Sequence, residues 1–129
     1  MAHIILIEDN LQTSRMASRL LNRRGHSIET FATGEEGLLR ILDTTPNLIL
    51  IDLGLPDVYG QTVIGIIRQQ LALSAIPVIA FTSWPVDMAQ RMTAAYGCDG
   101  IITKPIDTRR FVDQIEEFMA AGVIQHEQL

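Results

Sequence analysis

The sequence predicts an α/β domain: a parallel sheet covered by helices on both faces. Three observations carry the prediction. Strand-like and helix-like signals alternate five times along the 129 residues. The strand segments read as unbroken Ile/Leu/Val runs rather than alternating ones, as strands buried on both faces must. The connections are short, which implies right-handed crossovers between parallel strands.

The elements follow in order. His3–Ile7 is the first strand. Leu11–Arg24 reads as a helix with Met16, Ala17, Leu20 and Leu21 on one face, and Gly25 supplies its stop signal. Ser27–Phe31 is a short second strand. Thr33 followed three residues later by Glu36 is a capping box, opening a helix that runs through Leu42. Leu48–Asp52 is the most apolar strand. Gly54–Gly60, with Pro56 and Asp57 inside, is a loop by its turn chemistry. A third helix extends from there to about Leu71, with Val63, Ile64, Ile66 and Ile67 facing inward. Pro77–Phe81 is the fourth strand, its proline at the first position, where the missing donor is tolerated. Val86–Tyr96 is a helix ended by Gly97, and Ile101–Thr103 is the fifth strand. Thr108–Ala121, capped by Asp107, is the last helix. Gly122 is expected to close it, leaving a domain over residues 1–122 and a polar tail over 123–129.

Composition narrows the function classes. A formal charge of −5 lacks the basic face that nucleic acids and anionic membranes select. The apolar runs are too short to span a bilayer, and the acidic pair at Glu8–Asp9 interrupts any secretion signal. Cys98 is the only cysteine, so no intrachain disulfide can form, and a reducing cytoplasm is the expected location. With 19% charged residues and a mean hydropathy of +0.21, the chain can bury a core and is not disordered.

Four of the strand runs stop at a residue that carries chemistry: Glu8–Asp9, Asp52, Thr82 and Lys104. In an open parallel sheet these positions share one rim, where ligands bind. Taken as a pair, Glu8–Asp9 suits a helix amino terminus equally well. Asp52 changes the balance, because three crowded carboxylates repel unless a cation is shared. Magnesium prefers oxygen ligands and binds through one or two carboxylates, water and a phosphate oxygen. Asp9 and Asp52 can then be direct ligands, with Glu8 acting through a water. His3, His26 and His126 fall in a strand, a turn and the tail, and none is expected at the rim. Lys104 is suited to balance the acids or to clamp a phosphoryl oxygen, and Thr82 to hydrogen-bond a bound oxyanion.

The combination of Glu8–Asp9, Asp52-Leu53-Gly54-Leu55-Pro56 with Gly60, Thr82–Ser83 and Lys104–Pro105 resembles the receiver domain of two-component response regulators. The resemblance spans essentially the whole chain in order and spacing. It implies a flavodoxin-like (βα)5 fold, a doubly wound sheet of strand order 2-1-3-4-5. It implies that Asp52 accepts a phosphoryl group from a phosphohistidine on a sensor histidine kinase or a histidine phosphotransfer protein. Glu8, Asp9, Asp52 and the carbonyl of Gly54 would hold Mg²⁺, Lys104 would pair with a phosphoryl oxygen, and Thr82 would turn inward to another. Such a protein drives its own phosphoryl transfer and loss and is not a conventional turnover enzyme. The family receives its phosphodonor around Leu11–Arg15 and the loop after Lys104, and passes the signal to a downstream protein as a monomer or a phosphorylation-linked dimer.

Two positions depart from the family pattern. Ile101 stands where the family usually has an aromatic residue, and Ser83 where alanine is common. Ser83 is still small enough to admit a phosphoryl group, but because of Ile101 a receiver acting by contact alone, without phosphorylation, is the alternative. A flavin protein lacks support because Asn10-Leu11-Gln12 is no phosphate loop. An aspartyl-phosphate hydrolase would need a second acid at Gly54. Trp84, the only tryptophan, is expected at the rim, where its bulk would shield an acyl phosphate from water.

Overall fold

The computed structural model describes residues 1–127. Strands β1 (His3–Ile7), β2 (Ser27–Phe31), β3 (Leu48–Asp52), β4 (Val78–Thr82) and β5 (Gly100–Thr103) form one parallel sheet of order β2-β1-β3-β4-β5. Helices α1 (Leu11–Arg23), α2 (Gly34–Thr44), α3 (Gly60–Arg68), α4 (Val86–Tyr96) and α5 (Phe111–Glu127) fill the connections and follow the last strand. The expected fold class and strand order are thus observed.

Alternation along each strand divides the core between the two faces. Ile5, Ile7, Ile49, Ile51, Val78 and Ala80 pack with Ile41 of α2 and Val63, Ile64 and Ile67 of α3. Ile4, Leu6, Leu48, Leu50, Ile79 and Phe81 pack with Ala17 and Leu21 of α1 and Phe111 and Ile115 of α5. Each fully buried aliphatic side chain of this kind contributes about 1.5–3 kcal/mol. Both faces of the central strands are therefore dry, and polar side chains gather where the strands end.

Several boundaries differ from the sequence expectation. In α1, Met16 is 43% exposed and the small Ser14 takes the inner position, its hydroxyl donating to the Leu11 carbonyl. The cap of α2 forms at Thr33 as expected, its hydroxyl accepting from the Glu36 N–H (3.3 Å) and donating to the Glu36 carboxylate (3.0 Å), but the helix runs to Thr44 rather than Leu42. α3 stops at Arg68, short of Leu71, and a 3₁₀ turn over Leu71–Leu73 follows. The Arg68 guanidinium leaves the helix to hold the carbonyls of Gly97 and Ile76. Asp107–Arg110 is a turn, so α5 begins at Phe111 rather than Thr108. Gly122 does not end α5, whose backbone continues to Glu127. Most of the expected tail is thus helical, and residues 128 and 129 lie outside the described residues.

Candidate functional site

The strand order puts a switch point between β1 and β3, because β1 is followed by a crossover to one side and β3 by a crossover to the other. Crevices at such points are where open α/β sheets bind ligands. Glu8 and Asp9 leave the end of β1 and Asp52 closes β3. One carboxylate oxygen of each lies within 4.8 Å of the others. Glu8 is 3% exposed and Asp52 8% exposed, while Asp9 faces solvent.

β4 and β5 supply the other two groups. Thr82 ends β4 and is fully buried; it pairs in register with Thr103, the residue before Lys104. The Lys104 N–H donates to the Thr82 carbonyl at 2.9 Å, which carries the strand pairing one residue further and aims the lysine across the rim. Its ammonium pairs with Glu8 Oε1 and stands 3.3 Å from Asp52 Oδ2. The ammonium also lies over the Phe81 ring, 5.0 Å from its centre, a favourable cation–π position. The structure thus assembles Glu8, Asp9, Asp52 and Lys104 and sets Thr82 on the adjoining strand end.

The electrostatics follow from this packing. Burial pushes the Glu8 carboxyl above the ordinary glutamate value, and the nearby Asp52 charge adds to that. The Lys104 contact and the Asn10 N–H on Oε2 oppose it. Three carboxylates face one ammonium, a surplus of negative charge with oxygen donors throughout. Such a donor set suits a hard divalent cation such as Mg²⁺. Among the described residues no histidine or cysteine joins it. His3 pairs with Glu29 and His26 with Glu116, both away from the acids, and burial pushes the Cys98 thiol up to about 11.

The loop after β3 is held against the site. The Gly54 N–H donates to Asp52 Oδ1 at 3.1 Å. At Gly60 an added Cβ would lie 2.3 Å from the Asp52 carbonyl oxygen, so only glycine lets α3 start this close to the end of β3. Asp57, which the sequence marked only as a turn residue, accepts the backbone N–H groups of Gly34 and Glu35 at 2.9 and 3.0 Å. It anchors the loop to the amino terminus of α2, and those two bonds hold its carboxyl below the usual aspartate value.

On the other side, the Trp84 N–H donates to Thr82 Oγ1 at 2.9 Å. The Trp84 side chain is half-buried against the core on the α2–α3 side of the sheet. Ser83 is exposed, and Ile101 packs half-buried on that same core beside Ala80.

A family model described as the response regulator receiver domain matches residues 4–116. The chain belongs to that family. Among curated relatives, the polar-differentiation response regulator DivK of Brucella ovis is 29% identical over 116 residues, covering 90% of this chain and 94% of DivK. Among solved structures, a CheY-like receiver domain protein from Methanospirillum hungatei superposes with a TM-score of 0.88 at 23% identity, covering 97% of this chain and 98% of that one. The chemotaxis response regulator CheY4 of Vibrio cholerae gives 0.87 at 22% identity, covering 92% and 98%. At these identities the structures speak for the fold, and the family match speaks for the receiver assignment. Among the described residues no helix is long and apolar enough to cross a membrane.

Proposed function

We propose that the chain is a phosphorylation-dependent signalling switch in which Asp52 accepts a phosphoryl group from a phosphohistidine donor. The observation that carries this reading is the Lys104 ammonium set between Glu8 and Asp52, with three acid oxygens clustered beside it. A carboxylate oxygen of Asp52 attacks phosphorus, the P–N bond breaks, and the imidazole leaves with that electron pair. Glu8, Asp9, Asp52 and the Gly54 carbonyl would hold Mg²⁺, which when bound neutralises charge on the transferring group.

The chain's own residues then redistribute their contacts. Lys104, already 3.3 Å from Asp52 Oδ2, pairs with a phosphoryl oxygen. The Thr82 hydroxyl gives up its bond from the Trp84 N–H and donates to a second phosphoryl oxygen. Trp84 and the start of α4 move with it, so a charge placed at the rim becomes a change of surface. The chain promotes its own phosphoryl transfer and loss and turns over no free substrate. The donor is a sensor histidine kinase or a histidine phosphotransfer protein, the recipient of the signal is another protein, and the setting is the cytoplasm.

Intact-mass spectrometry after incubation with acetyl phosphate tests the reading. One phosphoryl adduct that requires Mg²⁺ and disappears in Asp52→Asn supports it. An adduct that survives in Asp52→Asn refutes the assignment of Asp52. No adduct from either acetyl phosphate or a phosphohistidine protein favours a receiver that acts by contact alone.

A further inference from the structure

The carboxylate of Asp57 uses both of its oxygens on the backbone of another element. Oδ1 accepts the Gly34 N–H at 2.9 Å and Oδ2 the Glu35 N–H at 3.0 Å. These are the first two residues of α2, and the hydroxyl of Thr33 accepts the N–H of the third, Glu36. The first three N–H groups of the helix, which lack partners inside it, thus all have acceptors. Two of them depend on the loop after β3. The packing there is as close as the bonding, since a Cβ built on Gly34 would lie 2.5 Å from Val58 Cγ2.

For α2 this is a second cap beside that of Thr33, at an end where water could serve as well: Asp57 is exposed. For the loop it matters more. The loop is tied to the site at Gly54, whose N–H donates to Asp52 Oδ1 at 3.1 Å, and at Gly60, whose N–H donates to the Leu53 carbonyl at 3.0 Å. Between these points Leu55 is buried on the core, an apolar contact with no preferred direction. The paired bonds of Asp57 do have a direction, and they set the orientation of the loop against α2.

We propose that Asp57 is a positioning residue for the metal site: by clamping the loop to α2 it holds the Gly54 carbonyl in place as a Mg²⁺ ligand. The inference rests on the reading above, in which that carbonyl is one of the oxygens that would hold the ion. Magnesium demands near-octahedral geometry, so a loop free to drift loses affinity instead of adapting. The start of α2 and the metal are then coupled. By linkage, Mg²⁺ tightens the clamp by the same factor as the clamp tightens Mg²⁺.

The test compares Asp57→Ala and Asp57→Asn with Thr33→Ala, which weakens the same helix end and leaves the loop attached. Each protein is titrated calorimetrically with Mg²⁺, melted, and followed by amide hydrogen exchange at Gly34, Glu35 and Gly54. Asp57→Ala should bind Mg²⁺ about tenfold more weakly, the scale of loss when a group behind a metal ligand is removed. Its Gly54 amide should exchange faster than that of wild type even without metal. Asp57→Asn keeps one acceptor oxygen and should fall between the two. Thr33→Ala should melt at a lower temperature with Mg²⁺ affinity and Gly54 exchange unchanged. In wild type, saturating Mg²⁺ should slow exchange at Gly34 and Glu35, a measurement that needs no variant to fold. Equal losses of Mg²⁺ affinity in Thr33→Ala and Asp57→Ala would reduce Asp57 to a helix cap and overturn the proposal. Exchange at Gly34 and Glu35 that ignores Mg²⁺ overturns it as well. Full Mg²⁺ affinity in Asp57→Ala sinks the positioning role alone, whereas a wild type that binds no Mg²⁺ sinks the metal reading and the proposal with it.

Discussion

Lys104 Nζ stands 3.3 Å from Asp52 Oδ2 while its side chain keeps 18% exposure, so the one cation of the site is screened from solvent but not sealed. Replacing it with methionine leaves two poorly solvated carboxylates facing each other without a counter-charge. The expected loss at pH 8 is about 2–3 kcal/mol of unfolding free energy, below the full penalty for a sealed pair because of that exposure. The deficit should shrink as pH falls and the buried Glu8, whose carboxyl is raised above the ordinary value, takes up its proton. Urea denaturation of Lys104→Met and wild type at pH 8 and pH 5 measures both. A deficit that does not change with pH would mean that Lys104 does not stabilise by pairing with these carboxylates.

Glu8 sets a second pH dependence. Its carboxyl titrates above the ordinary value of 4.5 because it is buried, so the folded state binds this proton more tightly than the unfolded chain does. Stability from this group is therefore fully present below about 4.5 and is lost as pH rises through the folded value. Glu8→Gln removes that slope: between pH 4 and 7 the unfolding free energy of wild type should fall relative to the variant. Mg²⁺ affinity should move the other way and strengthen over the same interval, since the metal competes with the proton. Parallel stability curves for the two proteins would refute the burial argument for Glu8.

Two glycines near Asp52 should respond oppositely to alanine. At Gly60 the new Cβ would lie 2.3 Å from the Asp52 carbonyl oxygen, and rigid backbone must shift to admit it. A loss of about 1–3 kcal/mol is expected, together with weaker Mg²⁺ binding because Asp52 is displaced. At Gly54 the nearest atom is Asp52 Oδ1 at 4.0 Å, an ordinary contact, so Gly54→Ala should fold with nearly unchanged stability. Thermal melts and Mg²⁺ titration separate the two; a Gly54→Ala loss as large as that of Gly60→Ala would show that the loop conformation itself requires glycine.

The rim was legible because a charged or hydroxyl residue ends four of the five aliphatic runs, and that contrast is local in sequence. What brings Glu8 beside Lys104 is the strand order, which no local pattern encodes and which the family resemblance supplied. Asp57 was missed for the same reason: it lies in the loop after β3, and its partners, Gly34 and Glu35, lie on α2, far away in sequence. The inner face of α1 was misassigned at Met16 because a small serine, with its hydroxyl on the backbone, packs where an apolar residue was expected. Gly25 and Gly97 do end their helices with φ of +90° and +85°. At Gly122 the same residue type leaves the helix uninterrupted, since a glycine permits a stop without imposing one.

Trp84 gives the switch a built-in reporter. Its backbone N–H holds Thr82 Oγ1 at 2.9 Å and its indole is half-buried against the core. If Thr82 turns to a phosphoryl oxygen, that bond breaks and the environment of the only tryptophan changes. Intrinsic fluorescence should therefore shift on adding acetyl phosphate with Mg²⁺ to wild type, and stay constant in Asp52→Asn. Thr82→Ala removes the acceptor for the Trp84 N–H, so its signal should respond weakly even when mass spectrometry shows full phosphorylation. Trp84→Ala addresses the shielding role expected from the sequence: an indole that covers the acyl phosphate should, once removed, let the lifetime of the phosphorylated form shorten severalfold. A lifetime equal to wild type, in a variant that still folds and labels, would leave Trp84 as a packing residue whose only link to the site is its backbone.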